Sequence, residues 1–173
     1  MAVFNKYSHN CSRLDWAVLI NGSISLYYKD EILNKDLEWL KRNYYQEILM
    51  DFSQICSEKE FHRTIKKMLN FPAYYGENMS ALSDCLLYNL NVPDEGGLVI
   101  VLKKFHILYE ANKSLAHEIL ERLDEASRRH LLSGERLITF VQSDLPQLSI
   151  NLIGGYKVMW NRDEFIDSER VAE

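Results

Sequence analysis

The sequence predicts an α/β protein: a small parallel sheet flanked by helices, extended by an N-terminal hairpin and helix and by a C-terminal edge segment. Three observations carry this expectation. The stretches "GLVIVL" (Gly97 to Leu102) and "RLITFVQ" (Arg136 to Gln142) are continuous apolar runs of the kind shown by strands covered on both faces. Helical patterns, with apolar residues every three or four positions, precede each of them. Strand and helix therefore alternate, which points to parallel strands joined by right-handed crossovers.

In "WAVLINGSISLYY" the pair Asn21-Gly22 lies between two apolar runs and predicts a β-hairpin. "DEILNKDLEWLKRNY" places Leu33, Leu37 and Leu40 on one helical stripe. "YQEILMDF" is a strand candidate, and "SEKEFHRTIKKMLNF" opens with Ser57 and Glu60 in capping-box spacing, followed by inward-facing Phe61, Ile65, Met68 and Leu69. Pro72 stops that helix, and Tyr75-Gly76-Glu77-Asn78 supplies turn chemistry. The helical pattern resumes from Met79 to Asn89 with Met79, Leu82, Leu86 and Leu90 inward and Ser80, Ser83, Asp84 and Leu87 outward. "FHILYEA" reads as a short helix and "KSLAHEILERLDEASRRHLL" as a long one, with Leu115, Ile119, Leu123 and Ala126 inward and Gly134 at its end. After Pro146, "LSINLI", the turn Gly154-Gly155 and "YKVMW" are candidates for an edge hairpin. A helical turn "NRDEFI" follows, and "DSERVAE" is expected to fray.

With 173 residues, 47% hydrophobic and 26% charged, the chain has the composition of a folded protein of one domain, or of one domain with an appendage. Cys11, Cys56 and Cys85 are odd in number and form no C-x-x-C pair, so reduced thiols and a cytoplasmic location are expected rather than a disulfide framework or a zinc site. No uninterrupted apolar core marks the first residues as a secretory signal, and no run approaches the roughly 18 apolar residues of a membrane helix. Neither membrane nor nucleic acid is an expected partner, the latter because the net charge is −5.

That charge is unevenly placed. From Phe71 through Leu102 there is no Lys, Arg or His but there are Glu77, Asp84, Asp94 and Glu95, a local charge of −4, while the other 20 basic and 21 acidic residues sum to −1. A buried strand excludes lysine in any case, which accounts for the end of the run. It does not account for the polar, turn-like stretch from Tyr74 to Asn89.

No catalytic set emerges. The motifs G-x-S-x-G, P-loop and G-x-G-x-x-G are all missing from the sequence. Cys85 falls mostly on the inner helix face and reads as a core thiol. His117 and Glu121 have metal-ligand spacing without a third ligand in register. Paired bases such as Lys66-Lys67, Lys103-Lys104 and Arg128-Arg129 read as solvated ends. The chain is therefore expected not to be an enzyme and to need no cofactor, metal or small-molecule ligand. Binding remains: Tyr74, Tyr75 and Tyr88 are of the type enriched where proteins grip one another, although one of the adjacent pair is expected in the core. A surface carboxylate is usually just solvated, but Asp84 framed by small serines can enter a concave cationic pocket.

The stretch "FPAYYGENMSALSDCL" resembles the central motif of the barstar-like (barnase inhibitor) family, through its Y-Y-G-x-N loop and the D-C pair on the following short helix. The resemblance runs from the strand near Glu47 to about Ser143, and the order of elements fits throughout. It implies three regions: an N-terminal extension 1–46, a barstar-like domain 47–145 and a C-terminal extension 146–173. It also implies an intracellular inhibitor of immunity or antitoxin type that occludes the cationic active site of a ribonuclease or nuclease toxin. On this resemblance Asp84 takes the place of an RNA phosphate, Tyr74 stacks near the enzyme's catalytic groups, Gly76 and Asn78 hold the loop, and Glu125 is a second acidic contact. Tyr75, Ser80, Ser83 and Leu87 complete the expected contact set. Ser80 replaces an acid of the family pattern and Ser83 a tryptophan, so barnase itself is expected to be inhibited poorly and the cognate nuclease to differ. The alternative is an adaptor or regulatory protein of the same fold that binds a basic partner without nuclease activity.

Overall fold

A computed structural model describes residues 13–55, 57–166, 168 and 170. The elements follow as α1 (Leu14–Leu19), β1 (Ile24–Tyr27), α2 (Asp30–Arg42), β2 (Tyr45–Asp51), α3 (Glu58–Met68), α4 (Met79–Tyr88), β3 (Gly97–Lys103), α5 (His106–Ala111), α6 (Lys113–Leu132), β4 (Leu137–Gln142) and β5 (Met159–Trp160). Short 3₁₀ turns follow β2 (Phe52–Gln54) and β5 (Arg162–Glu164). The strands form one parallel sheet in the order β2-β3-β4-β1-β5. This is the α/β class with a parallel sheet flanked by helices that the sequence predicts.

The apolar runs divide between the two faces of the sheet with period two. Leu98, Ile100 and Leu102 of β3, with Leu137 and Val141 of β4, pack with α3, α4, α5 and α6. Val99 and Val101, with Ile138 and Phe140, pack with α1 and α2. Each such side chain, fully buried, contributes about 1.5–3 kcal/mol by leaving water. Strands apolar on both faces thus follow from helices on both faces.

Two expectations are corrected. The predicted N-terminal hairpin is absent: its first arm is helix α1, with Leu14, Val18 and Leu19 buried. Asn21 closes this helix by donating from Nδ2 to Ala17 O at 2.8 Å, and Gly22 leaves it with φ +108°, a value that favours glycine. The second arm, β1, is not an outlying ribbon but an inner strand, paired with β4 on one side and β5 on the other. At the C-terminal end, "LSINLI" forms no strand. Leu148, Ile150 and Ile153 instead insert singly into the core, and the Gly154-Gly155 turn closes with an antiparallel bridge between Ile153 and Tyr156. β5 does form the sheet edge, pairing Met159 with Ser25 and Trp160 with Leu26. Of the tail expected to fray, Arg170 is buried over the Trp160 ring, 4.3 Å from its centroid. The rest of that tail apart from Ser168, together with residues 1–12 (Cys11 included) and Cys56, lies outside the described residues.

Buried polar contacts fasten α1 and the turn after β5 to the rest of the fold. Asp15 accepts from Arg13 (3.0 and 2.8 Å), Tyr45 Oη (3.0 Å) and Arg136 (3.3 Å). Glu164, buried, accepts from the backbone N–H groups of Tyr28 (2.9 Å) and Lys29 (2.6 Å), which meets donors at the start of α2. Ser23 donates to the buried carboxylate of Asp124 on α6 at 2.8 Å.

Candidate functional site

The loop between α3 and α4 is built outward from the core. α3 begins as its spacing predicts, with Ser57 accepting from Glu60 N at 3.2 Å. Of the residues expected inward on it, Met68 is exposed while Phe61, Ile65 and Leu69 are buried. Phe71 is buried, and Tyr75 N donates to Pro72 O at 3.0 Å to close a turn. Within that turn the two tyrosines part. Tyr75 goes into the core, with its hydroxyl 2.5 Å from Nδ1 of the buried His62 and its ring 5.2 Å from that of Phe71. Burial raises the pKa of the Tyr75 phenol and lowers that of His62, against the pull of Glu58, so both groups are neutral at physiological pH. Tyr74 goes the other way: it is 75% exposed, and its hydroxyl receives a hydrogen bond from Asn89 Nδ2 at 3.1 Å.

Gly76 and Asn78 then set the start of α4. Asn78 Oδ1 accepts from Ala81 N at 2.9 Å while its Nδ2 donates to Gly76 O at 3.1 Å, so a single side chain caps the helix and fixes the turn before it. A Cβ at position 76 would lie 3.1 Å from that Nδ2 and crowd the cap.

On α4, Met79, Leu82, Cys85 and Leu86 are buried, and Leu90 just beyond it is half-buried. Ser80 and Asp84 are exposed, Ser83 and Leu87 half-buried, and Tyr88 is 81% exposed. Ser83 donates back to Met79 O at 3.2 Å, so its hydroxyl serves the helix. Asp84 forms no ion pair among the described residues and presents a bare carboxylate between Ser80 one turn before it and Leu87 and Tyr88 one turn after it. Burial, and then the Asp84 charge, raise the pKa of Cys85, which keeps it a thiol.

α6 runs beside α4 and is pinned to it where His130 Nε2 lies 2.8 Å from Leu86 O. Glu125 is exposed on α6 and shares a stripe with Glu118 and Arg122. Arg122 donates to Glu118 at 3.0 Å and stands 3.9 Å from Glu125. Of the expected contact residues, Tyr74, Ser80, Ser83, Asp84 and Leu87 are thus accessible on the loop and α4, Glu125 is accessible on α6, and Gly76 and Asn78 support the loop. Tyr75 does not present its ring to the surface, because the nearest partner for its hydroxyl is His62 within the core.

Linear charge counting missed two bases. Lys66 of α3 reaches the loop, donating to Ala73 O at 3.2 Å and lying 5.9 Å from the Tyr75 ring centroid. Arg122 is the second, on the α6 stripe between Glu118 and Glu125. The helical spacing of Glu118, Arg122 and Glu125 was the available signal for the second. The pair His117 and Glu121 is turned to structure: His117 Nε2 is 3.0 Å from Leu152 O, and Glu121 accepts from Gly154 N at 3.1 Å. Among the described residues no group of three or more His, Cys, Asp or Glu could hold a metal, and no helix is long and apolar enough to cross a membrane.

Comparison with known proteins places these elements in context. The family described as Barstar (barnase inhibitor) matches residues 45–142, from β2 to the end of β4. A curated relative from Bacillus subtilis (strain 168), described as "Putative ribonuclease inhibitor YrdF", is 35% identical over 81 residues, which cover 47% of this chain and 85% of that protein.

Proposed function

Because the chain belongs to the barstar (barnase inhibitor) family, we propose that it is an inhibitory binding protein, not an enzyme, which occludes the cationic active site of a ribonuclease or nuclease toxin inside the cell that makes it. The observation that carries this reading is Asp84: an exposed carboxylate, without an ion pair among the described residues, on the outer face of a short helix, with Ser80 and Ser83 on its N-terminal side and Leu87 and Tyr88 on its C-terminal side. An anion so placed exchanges water for the bases of a phosphate-binding site. Tyr74 supplies an aromatic face at one side, and Leu87 an apolar one further along α4.

Ser80 and Ser83 leave Asp84 as the principal charge of the helix, so the energy of docking concentrates on it. Replacing Asp84 by Ala leaves the partner's bases buried and unpaired. That is expected to weaken inhibition by about 2 to 5 kcal/mol. The measurement is RNA cleavage by a panel of cationic bacterial ribonucleases, barnase among them, titrated with wild-type protein and with Asp84→Ala. Inhibition that survives this substitution undiminished would remove the plug mechanism.

A further inference from the structure

We infer that Arg122 selects the partner: the surface suits a nuclease that sets a carboxylate, and not another base, against the α6 stripe. The inference rests on the inhibitor reading above and names the chemistry of the socket. Glu118, Arg122 and Glu125 follow one another at helical spacing on α6, the helix packed beside α4. The guanidinium donates to Glu118 Oε1 at 3.0 Å and is 3.9 Å from Glu125 Oε2. Its side chain is 34% exposed. Its Nε is buried and has no hydrogen-bond partner among the described residues.

An arginine carries five donors. Here one terminal nitrogen donates to Glu118, the other stands at 3.9 Å from Glu125, beyond hydrogen-bond reach, and Nε is buried out of a partner's reach, so it is the part-exposed terminal donors that gain from an arriving acceptor and lose from an arriving cation. Glu125 is affected in turn, since the neighbouring guanidinium lowers what it can offer to a base. Read across the surface, Glu77 and Asp84 are free to attract, whereas the α6 stripe alternates acid, base, acid. With α6 pinned beside α4 through His130, a socket with an unbroken cationic rim that seats on Asp84 and reaches Glu125 also sets a base against Arg122. A socket with a carboxylate at that point draws the guanidinium away from Glu125 and frees Glu125 for a base of its own.

Barnase is the probe of a cationic, phosphate-binding site. Arg122→Gln is expected to strengthen inhibition of barnase about tenfold, because a like-charge juxtaposition is removed and Glu125 is released. Adding Glu125→Gln to Arg122→Gln should take away the part of that gain that comes from the released Glu125, leaving the double variant a weaker inhibitor than Arg122→Gln alone. Lys41→Gln, which makes the same change of charge on α2 across the sheet, should give no gain. The inference is overturned if Arg122→Gln brings no gain, if Lys41→Gln matches it, or if the gain is undiminished when Glu125 is also replaced. The inhibitor reading is judged separately, by the response of the ribonuclease panel to Asp84→Ala, so either can fail while the other stands.

Discussion

Two adjacent tyrosines with opposite fates show how much one buried hydrogen bond decides. Tyr75 is 4% exposed with its hydroxyl on His62, while Tyr74 is 75% exposed. Tyr75→Phe leaves the His62 nitrogen in the core without its partner, which costs about 1–3 kcal/mol. Tyr74→Ala removes little that is buried. Urea denaturation should therefore show a lowered midpoint for Tyr75→Phe and an unchanged one for Tyr74→Ala. Equal midpoints for Tyr75→Phe and wild type would mean that the ring's packing, and not the hydrogen bond, holds the loop. The sequence could say that one of the pair faces inward but not which, because His62 lies 13 positions upstream on another element. Asp84 was legible for the opposite reason: its neighbours on α4 alone fix its face. Lys66 and Arg122 were not, since each comes to the surface from a different helix.

α4 is short, 10 residues, and too short to be helical alone. Its inner face supplies most of what holds it, and its cap supplies the rest. Asn78→Ala loses the bond to Ala81 N and frees Gly76 O, an effect of about 0.5–2 kcal/mol on stability. Because the same side chain fixes the turn that presents Tyr74, inhibition of a responsive ribonuclease should weaken more in Asn78→Ala than in Ser57→Ala, which removes the equivalent cap of α3. Matching losses in the two variants would confine the role of Asn78 to helix stability. The strength of a sequence signal at this scale follows the length of the element. α6, with 20 residues in steady periodicity and a glycine at its end, appears with the limits the pattern predicts. α1 does not, because five apolar residues in a row satisfy a short strand and a buried helix equally, and only packing on the sheet selects the helix.

The fold class was legible because the two long apolar runs alternate with helical patterns of clear period, and that alternation places the runs as strands between two helical layers. The strand order was not. Nothing local in "ISLY" states that β1 lies between β4 and β5, since that position depends on where α2 carries the chain after leaving it. Helix α1 is held against the sheet at Asp15, where ion pairs from Arg13 and Arg136 next to β4 and a hydrogen bond from Tyr45 of β2 converge. Burial raises the pKa of this carboxyl, but hydrogen bonds from Arg13 and Tyr45 and the Arg13 charge outweigh it, so the folded pKa lies below the ordinary value. A carboxyl with a depressed folded pKa stabilises the protein above its unfolded pKa of about 3.9, and that contribution is lost as pH falls through the folded value. Asp36 has the opposite sign. Its burial raises the folded pKa despite bonds from Tyr27 and Asn161, so its ionisation opposes folding and stability grows as pH falls through the folded value. Replacing Asp15 alone separates the two. Asp15→Asn should be less stable than wild type at pH 7, and the gap in urea midpoint should begin to narrow as pH falls below about 4, where the unfolded chain protonates Asp15, and go on narrowing until the folded carboxylate is itself protonated at its lower pKa. A gap that stays constant down to pH 3 would assign the loss to the shape and hydrogen bonds of the side chain and not to its charge.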